Sequence, residues 1–265
     1  MNIFAFEFKR HLRMTLLFTL FLAVFSSGML FFYMFIKEDL DMMMVFFDRF
    51  PAPMKAMMSS DISIVTTPLG LFSFIYSFIS IIPAIQAIYL GLSIHGSPFS
   101  EKTSEFIFTK PASRARHFFM KSTSGVFLIV LETIVFVTVL ISALFLMGES
   151  SGVAFTLVWI ALSFLLTQLV FLAIGTLLAY VFMGMKSYLS VSLGVAAFFF
   201  AVSAFAVSGN ADKLRYFTPF QYHRFDTLLM NGHMDSNLFF FTILIMTILL
   251  GISYFRFASV EVYSR

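Results

Sequence analysis

Six apolar runs, each long enough to cross a lipid bilayer, constrain this chain more than any other feature. They lie at 14–36, 69–94, 118–147, 153–182, 187–208 and 237–258, and a bilayer core takes about 20 residues of helix. Backbone exposed to lipid must satisfy its own hydrogen bonds, and the runs lack the period-two alternation of barrel strands, so they read as helices. The third and fourth exceed a minimal span and are expected to tilt or project. The polar patch Gly184-Met185-Lys186-Ser187 separates the fourth from the fifth. Met14 to Ile36 is too long for the core of a cleaved signal and reads as a retained span. Only 12% of residues are charged, about half the usual share, and a water-soluble globule could not hide 39 Phe. The absence of Cys excludes a disulfide scaffold, a thiolate metal site and a Cys nucleophile. The expected fold is an all-α integral membrane domain covering residues 1–265, with six transmembrane helices.

Lys and Arg set the orientation. With the N-terminus inside, eleven of the 17 cations fall in inside segments, among them Lys9, Arg10, Arg13, Arg114 and Arg116. The sequence therefore predicts that both termini are cytoplasmic.

Three further segments read as amphipathic helices. In 1–13, Phe4, Ala5, Phe8 and Leu12 share one face and Lys9, Arg10 and Arg13 the other, which suits a helix lying in the interface against anionic lipid. In 98–109, Ser97 is placed to cap and Pro98 to start a helix that Pro111 ends. There Phe99, Thr103, Phe106 and Ile107 face opposite Glu101, Lys102 and Glu105, and Ser113 is placed to cap the helix that follows. In 218–231, Thr218 caps, Pro219 starts and Asn231-Gly232 supplies a left-handed stop. Tyr222, Phe225, Leu228 and Leu229 share one face of this segment, with His223, Arg224 and Thr227 opposite. Loop 37–68, with its Met run at 42–44 and Pro51-Ala52-Pro53, reads as a short membrane-hugging piece followed by a break.

The run EKTSEFIFTKPASR, Glu101 to Arg114, resembles the cytoplasmic loop of ABC transporter permeases of the second exporter type. Thr103, Glu105, Pro111, Ser113 and Arg114 match that pattern, while Lys102 stands where a Gly is common. The resemblance implies that 98–109 is a coupling helix docking on an ATPase subunit through Phe99, Glu101, Thr103, Glu105, Phe106, Ile107 and Arg114. It also implies a second permease chain, ATP and Mg bound by the partner ATPase, and a re-entrant helical segment at 218–231 on the outer side.

The chain holds no Gly-x-x-x-x-Gly-Lys-Ser/Thr, no His-Glu-x-x-His and no Gly-x-Ser-x-Gly. No catalytic, metal or cofactor site is expected in this chain itself, and its basic residues flank membrane spans rather than forming a nucleic-acid face. Polar groups inside spans are costly, which makes Gln86, Glu132 and Gln168 candidates for a translocation path, or for glue between helices. Pro83 is a candidate kink. Two function classes follow: an ATP-driven exporter permease, and an ATP-independent carrier or channel. Short outer loops and a Phe- and Met-rich interior point to an amphipathic or hydrophobic cargo, peptide toxins included. A bacterial plasma membrane suits the absence of Cys.

Overall fold

A helix leaves backbone N–H and C=O groups unbonded at its ends, and this chain meets them with small polar residues and glycine. The computed structural model describes residues 3–37, 45, 49, 67–101, 113–147, 154–208 and 212–259. Within it Thr67 accepts from the Gly70 amide at 3.1 Å, Ser113 from the Arg116 amide at 3.2 Å, and Asp235 from the Asn237 amide at 2.9 Å. Gly232 stops a helix at φ 70°, in the left-handed region that glycine enters without strain.

The resulting elements are α1 (Ile3–Ile36), α2 (Pro68–Ile79), α3 (Ile81–Ser100), α4 (Arg114–Leu146), α5 (Ala154–Val181), α6 (Tyr188–Ser208), α7 (Phe225–Asn231) and α8 (Ser236–Ala258). Short 3₁₀ pieces occupy Asp212–Phe217 and Pro219–Gln221, and the described residues contain no strand. Five helices, α1, α4, α5, α6 and α8, are long and apolar enough to cross a membrane, and the α2–α3 pair makes a sixth if it counts as one broken span. The apolar helices point to a multi-pass membrane protein.

The α2–α3 pair bends by 47° at Ser80. Pro83 causes this: it has no N–H for the Ile79 carbonyl four residues back, and its ring crowds that carbonyl. The tightest pairing is α3 against α5. A Cβ on Gly91 would stand 2.4 Å from the Leu172 carbonyl oxygen, and one on Gly175 2.3 Å from that of Ile88. Two glycines thus let the backbones touch, which is how apolar helices gain packing where lipid gives no hydrophobic drive. Around this pair, α4 packs on α5, α1 on α4, α6 on α3 and α8 on α5.

Contacts among helix ends define two ends of the bundle. Arg10 meets Glu101, Arg114 meets the Ala258 carbonyl and Ser100 meets Tyr188, so one end gathers termini of α1, α3, α4, α6 and α8. The opposite half is an aromatic cluster of Phe72, Tyr76, Phe136, Phe164 and Phe225.

Four expectations need correction or restriction. No break separates 1–13 from the first span. Helix α1 is continuous from Ile3, about 50 Å long at 1.5 Å per residue, and Phe4 packs edge-on against Phe127 of α4. Ser97 does not cap a new helix either, because α3 runs through Pro98 to Ser100. The 218–231 segment forms two pieces: Thr218 gives its hydroxyl to the Phe199 carbonyl rather than to a cap, and the chain turns again before α7. That second turn buries His223, which a single helix would have placed on the polar face. Thr103, Glu105, Phe106 and Ile107 lie outside the described residues, as does most of the 37–68 loop.

Candidate functional site

At the ion-paired end, a proline organises a buried charge. Pro98 lacks the N–H that would bond the Ile94 carbonyl. Lys121 of α4 takes the place, donating its Nζ to that oxygen at 2.6 Å. The same ammonium pairs with Glu7 of α1 at 2.7 Å, both groups being almost fully buried. His11 donates Nδ1–H to the Glu7 carbonyl one turn back. Beside this cluster, His95 bonds the Tyr180 hydroxyl at 2.7 Å and the Ser122 hydroxyl at 3.3 Å, joining α3, α4 and α5. Removing one partner of a buried ion pair typically costs about 3–5 kcal/mol, so Glu7–Lys121 fixes α1 to the α3–α4 pair.

The coupling candidates that are described sit around this platform. Phe99 packs edge-on against Tyr180, Glu101 pairs with Arg10, and Arg114 donates to the last carbonyl of α8 at 2.7 Å. The two boundaries of 102–112 are therefore tied to α1 and α8.

Deeper in the bundle, Gln86 donates to Glu132 Oε2 at 2.6 Å, so the structure brings two of the three intramembrane candidates together across α3 and α4. Glu132 is fully buried within this one chain. Its Oε1 and both polar atoms of Gln168 have no hydrogen-bond partner among the described residues.

None of these three lines the cleft in the other half. That cleft opens where α2 bends into α3. The chain after α6 folds back to close it: Thr218 bonds the Phe199 carbonyl, Gln221 bonds the Ser203 hydroxyl, and the Phe220 ring packs at a tilt, 4.8 Å from that of Phe171. Phe199 lies roughly 14 Å inside the end of α6, at 1.5 Å per residue, so the segment reaches well into the bundle. His223 is held from two sides. Ser163 of α5 donates to its carbonyl, and its Nε2 meets Thr242 of α8 at 2.9 Å. Burial pushes the His223 imidazole down to about 4, against the opposing pull of Asp235, so it is neutral at pH 7. Burial likewise pushes the Tyr222 phenol up to about 12, and it donates to the Tyr216 carbonyl.

Glu7, Lys121, His95 and Tyr180 were not singled out from the sequence. One signal was available: Glu7 is the only acid among the first 13 residues and stands one turn before His11. Neither a protein-family model nor a curated protein sequence matches the chain.

Proposed function

We propose that this chain is the membrane-spanning permease subunit of an ATP-driven exporter. It would work with a second permease chain and with separate ATPase subunits that bind ATP and Mg, in a bacterial plasma membrane with both termini cytoplasmic. Its cargo is amphipathic or hydrophobic, peptides included. One observation carries the reading. The run resembling a coupling loop, Glu101 to Arg114, is bounded by residues tied to other helices: Arg10 in α1, Tyr188 at the start of α6 and Ala258 at the end of α8. A push on that run reaches three further helices at once, which is what a motor-driven switch between inward- and outward-open states requires. In this reading the fold-back segment closes the outer end of the path.

The buried Gln86–Glu132 pair favours a second reading, a carrier driven by an ion gradient, since an intramembrane carboxyl is a common seat for a coupling ion. Purification from native membranes separates the two. The permease reading predicts that an ATPase copurifies and that vesicles holding the complex move cargo only with ATP. Gradient-driven transport by the chain alone would overturn it.

A further inference from the structure

Three polar side chains meet at one level inside the bundle, and the contacts around them fix that level. Phe136 of α4 stacks on Phe164 of α5 at 4.4 Å. Farther along the same helices a Cβ on Gly125 would stand 3.2 Å from the Leu172 side chain, so the two run antiparallel. Glu132 precedes Phe136 by four residues and Gln168 follows Phe164 by four. Each therefore lies one turn from the stack, about 6 Å toward the Gly125–Leu172 contact, on the face that carries the ring. Gln86 reaches the same place from α3 through its bond to Glu132. All three side chains are at most 2% exposed.

Their remaining polar atoms define the ligand. The Gln86 nitrogen donates to Glu132 Oε2. Gln86 Oε1, Glu132 Oε1 and both amide atoms of Gln168 have no partner among the described residues. That is three oxygens against one N–H, and a carboxylate oxygen has lone pairs enough to accept that N–H and still face a ligand. None of the ion pairs among the described residues includes Glu132. An ionised carboxylate buried this deeply needs a positive partner. A water would serve the free oxygens but not the charge. A proton would serve the charge, but its single O–H reaches only one of the two free amide oxygens. A hard metal cation serves both, since it takes carboxylate and carbonyl oxygens together. One carboxylate matches one positive charge, so a divalent ion would stay half-neutralised in an apolar layer. Leu128, Ile129 and Phe136, one turn from Glu132 on α4, are fully buried, which favours a bare ion over an organic ammonium.

We infer that Gln86, Glu132 and Gln168 bind one monovalent alkali cation. Its way in is from the cleft: Tyr76 and Phe164 line the cleft and both pack on Phe136, so one layer of rings separates it from the site. The assignment rests on neither reading of the driving force, because binding needs no ATP and no gradient.

The probes are radioactive sodium and rubidium, the latter standing for potassium. They are added to the full chain in nanodiscs of uncharged lipid, in choline chloride at mildly alkaline pH. At least one of the two should saturate at one ion per chain and resist displacement by equimolar magnesium. Glu132→Gln should abolish that binding. Gln168→Leu removes an oxygen ligand along with two partnerless buried atoms. It should therefore fold as well as the parent, by gel filtration and melting, yet bind at least about tenfold more weakly.

Saturable binding of neither ion leaves a proton, alone or with a water, as the occupant and overturns the assignment. Binding undiminished in either variant does the same, and displacement by magnesium removes the monovalent claim. If Glu132→Gln does not fold, Gln168→Leu decides alone. Failure of Gln168→Leu to fold also contradicts the assignment, because the amide would then be holding helices together rather than an ion.

Discussion

Helices α5 and α8 are almost equally apolar, yet 56% of the most apolar stretch of α5 is buried in the bundle against 17% of that of α8. What separates them is residue size along one face. Helix α5 carries Ala173, Gly175, Thr176 and Ala179 where it crosses α3, and all four are buried. Helix α8 turns Phe240, Leu244, Ile248, Ile252 and Phe255 outward, and a Cβ on its Gly251 would meet nothing within 4 Å. Hydropathy thus marks which segments can enter a membrane, while small residues mark which of them sit in the middle of the protein.

The sharpest break of that comparison is a pair of glycine substitutions. Gly175→Leu drives a side chain into the α3 backbone, where no rotamer change relieves a Cβ at 2.3 Å. It should prevent recovery of monodisperse protein, exceeding the roughly 1–3 kcal/mol usual for overpacking. Gly251→Leu should melt within roughly 0.5 kcal/mol of the parent, as surface changes do. Gel filtration and thermal melting in detergent read both, and similar behaviour of the two variants would remove the distinction.

Truncating one aromatic on each helix comes next in size. Phe171 on α5 is fully buried and Phe255 on α8 is 74% exposed. Phe171→Ala should lose about 3–5 kcal/mol by opening a cavity, while Phe255→Ala should cost well under 1 kcal/mol. Equal losses would mean that α8 is covered to the same degree as α5 in the assembled protein.

A smaller effect tests the place where the two helices are joined, His223 between Ser163 and Thr242. Its folded value of about 4 lies below the free value of 6.5. The unfolded chain therefore binds more protons between those values, and stability rises with pH across that window. The contribution is fully present above about pH 6.5 and is lost as pH drops through 4, amounting to at most about 3 kcal/mol. Melting curves of His223→Gln and the parent between pH 7.5 and 4 should converge as pH falls. Parallel curves would show that the ring titrates freely.

Features governed by neighbours in sequence were legible in advance. The Ser113 cap, the Gly232 stop, the split at Gly184–Ser187 and the Pro83 bend all appear, because each depends on a few adjacent residues. Features that need a partner helix were not legible. The amphipathic pattern of 1–13 suits an interfacial helix, but nothing in it halts the α1 hydrogen bonds, and Lys121 gives Glu7 a buried partner 114 residues away. Pro98 looked like a helix start because its missing N–H is harmless there. The same Lys121, by bonding the freed Ile94 carbonyl, makes it equally harmless inside α3. Gln86 and Glu132 were legible as polar groups in apolar runs, though not as partners of each other. The cleft depends on a fold-back that runs past Thr218 in two pieces, and no local signal marks the turn before α7.

The central claim is that Glu101 to Arg114 receives force from a separate ATPase, and removing the two residues taken to anchor that contact tests it most directly. Phe106→Ala combined with Glu105→Ala should leave the chain folded in the membrane. Each truncation is expected to remove about 2 kcal/mol from the ATPase contact. A detergent pull-down with the tagged double variant should recover little or no ATPase, and export should stop. Lys186→Ala, in the short turn between α5 and α6, should keep both. Full ATPase recovery and normal export by the double variant would contradict the claim.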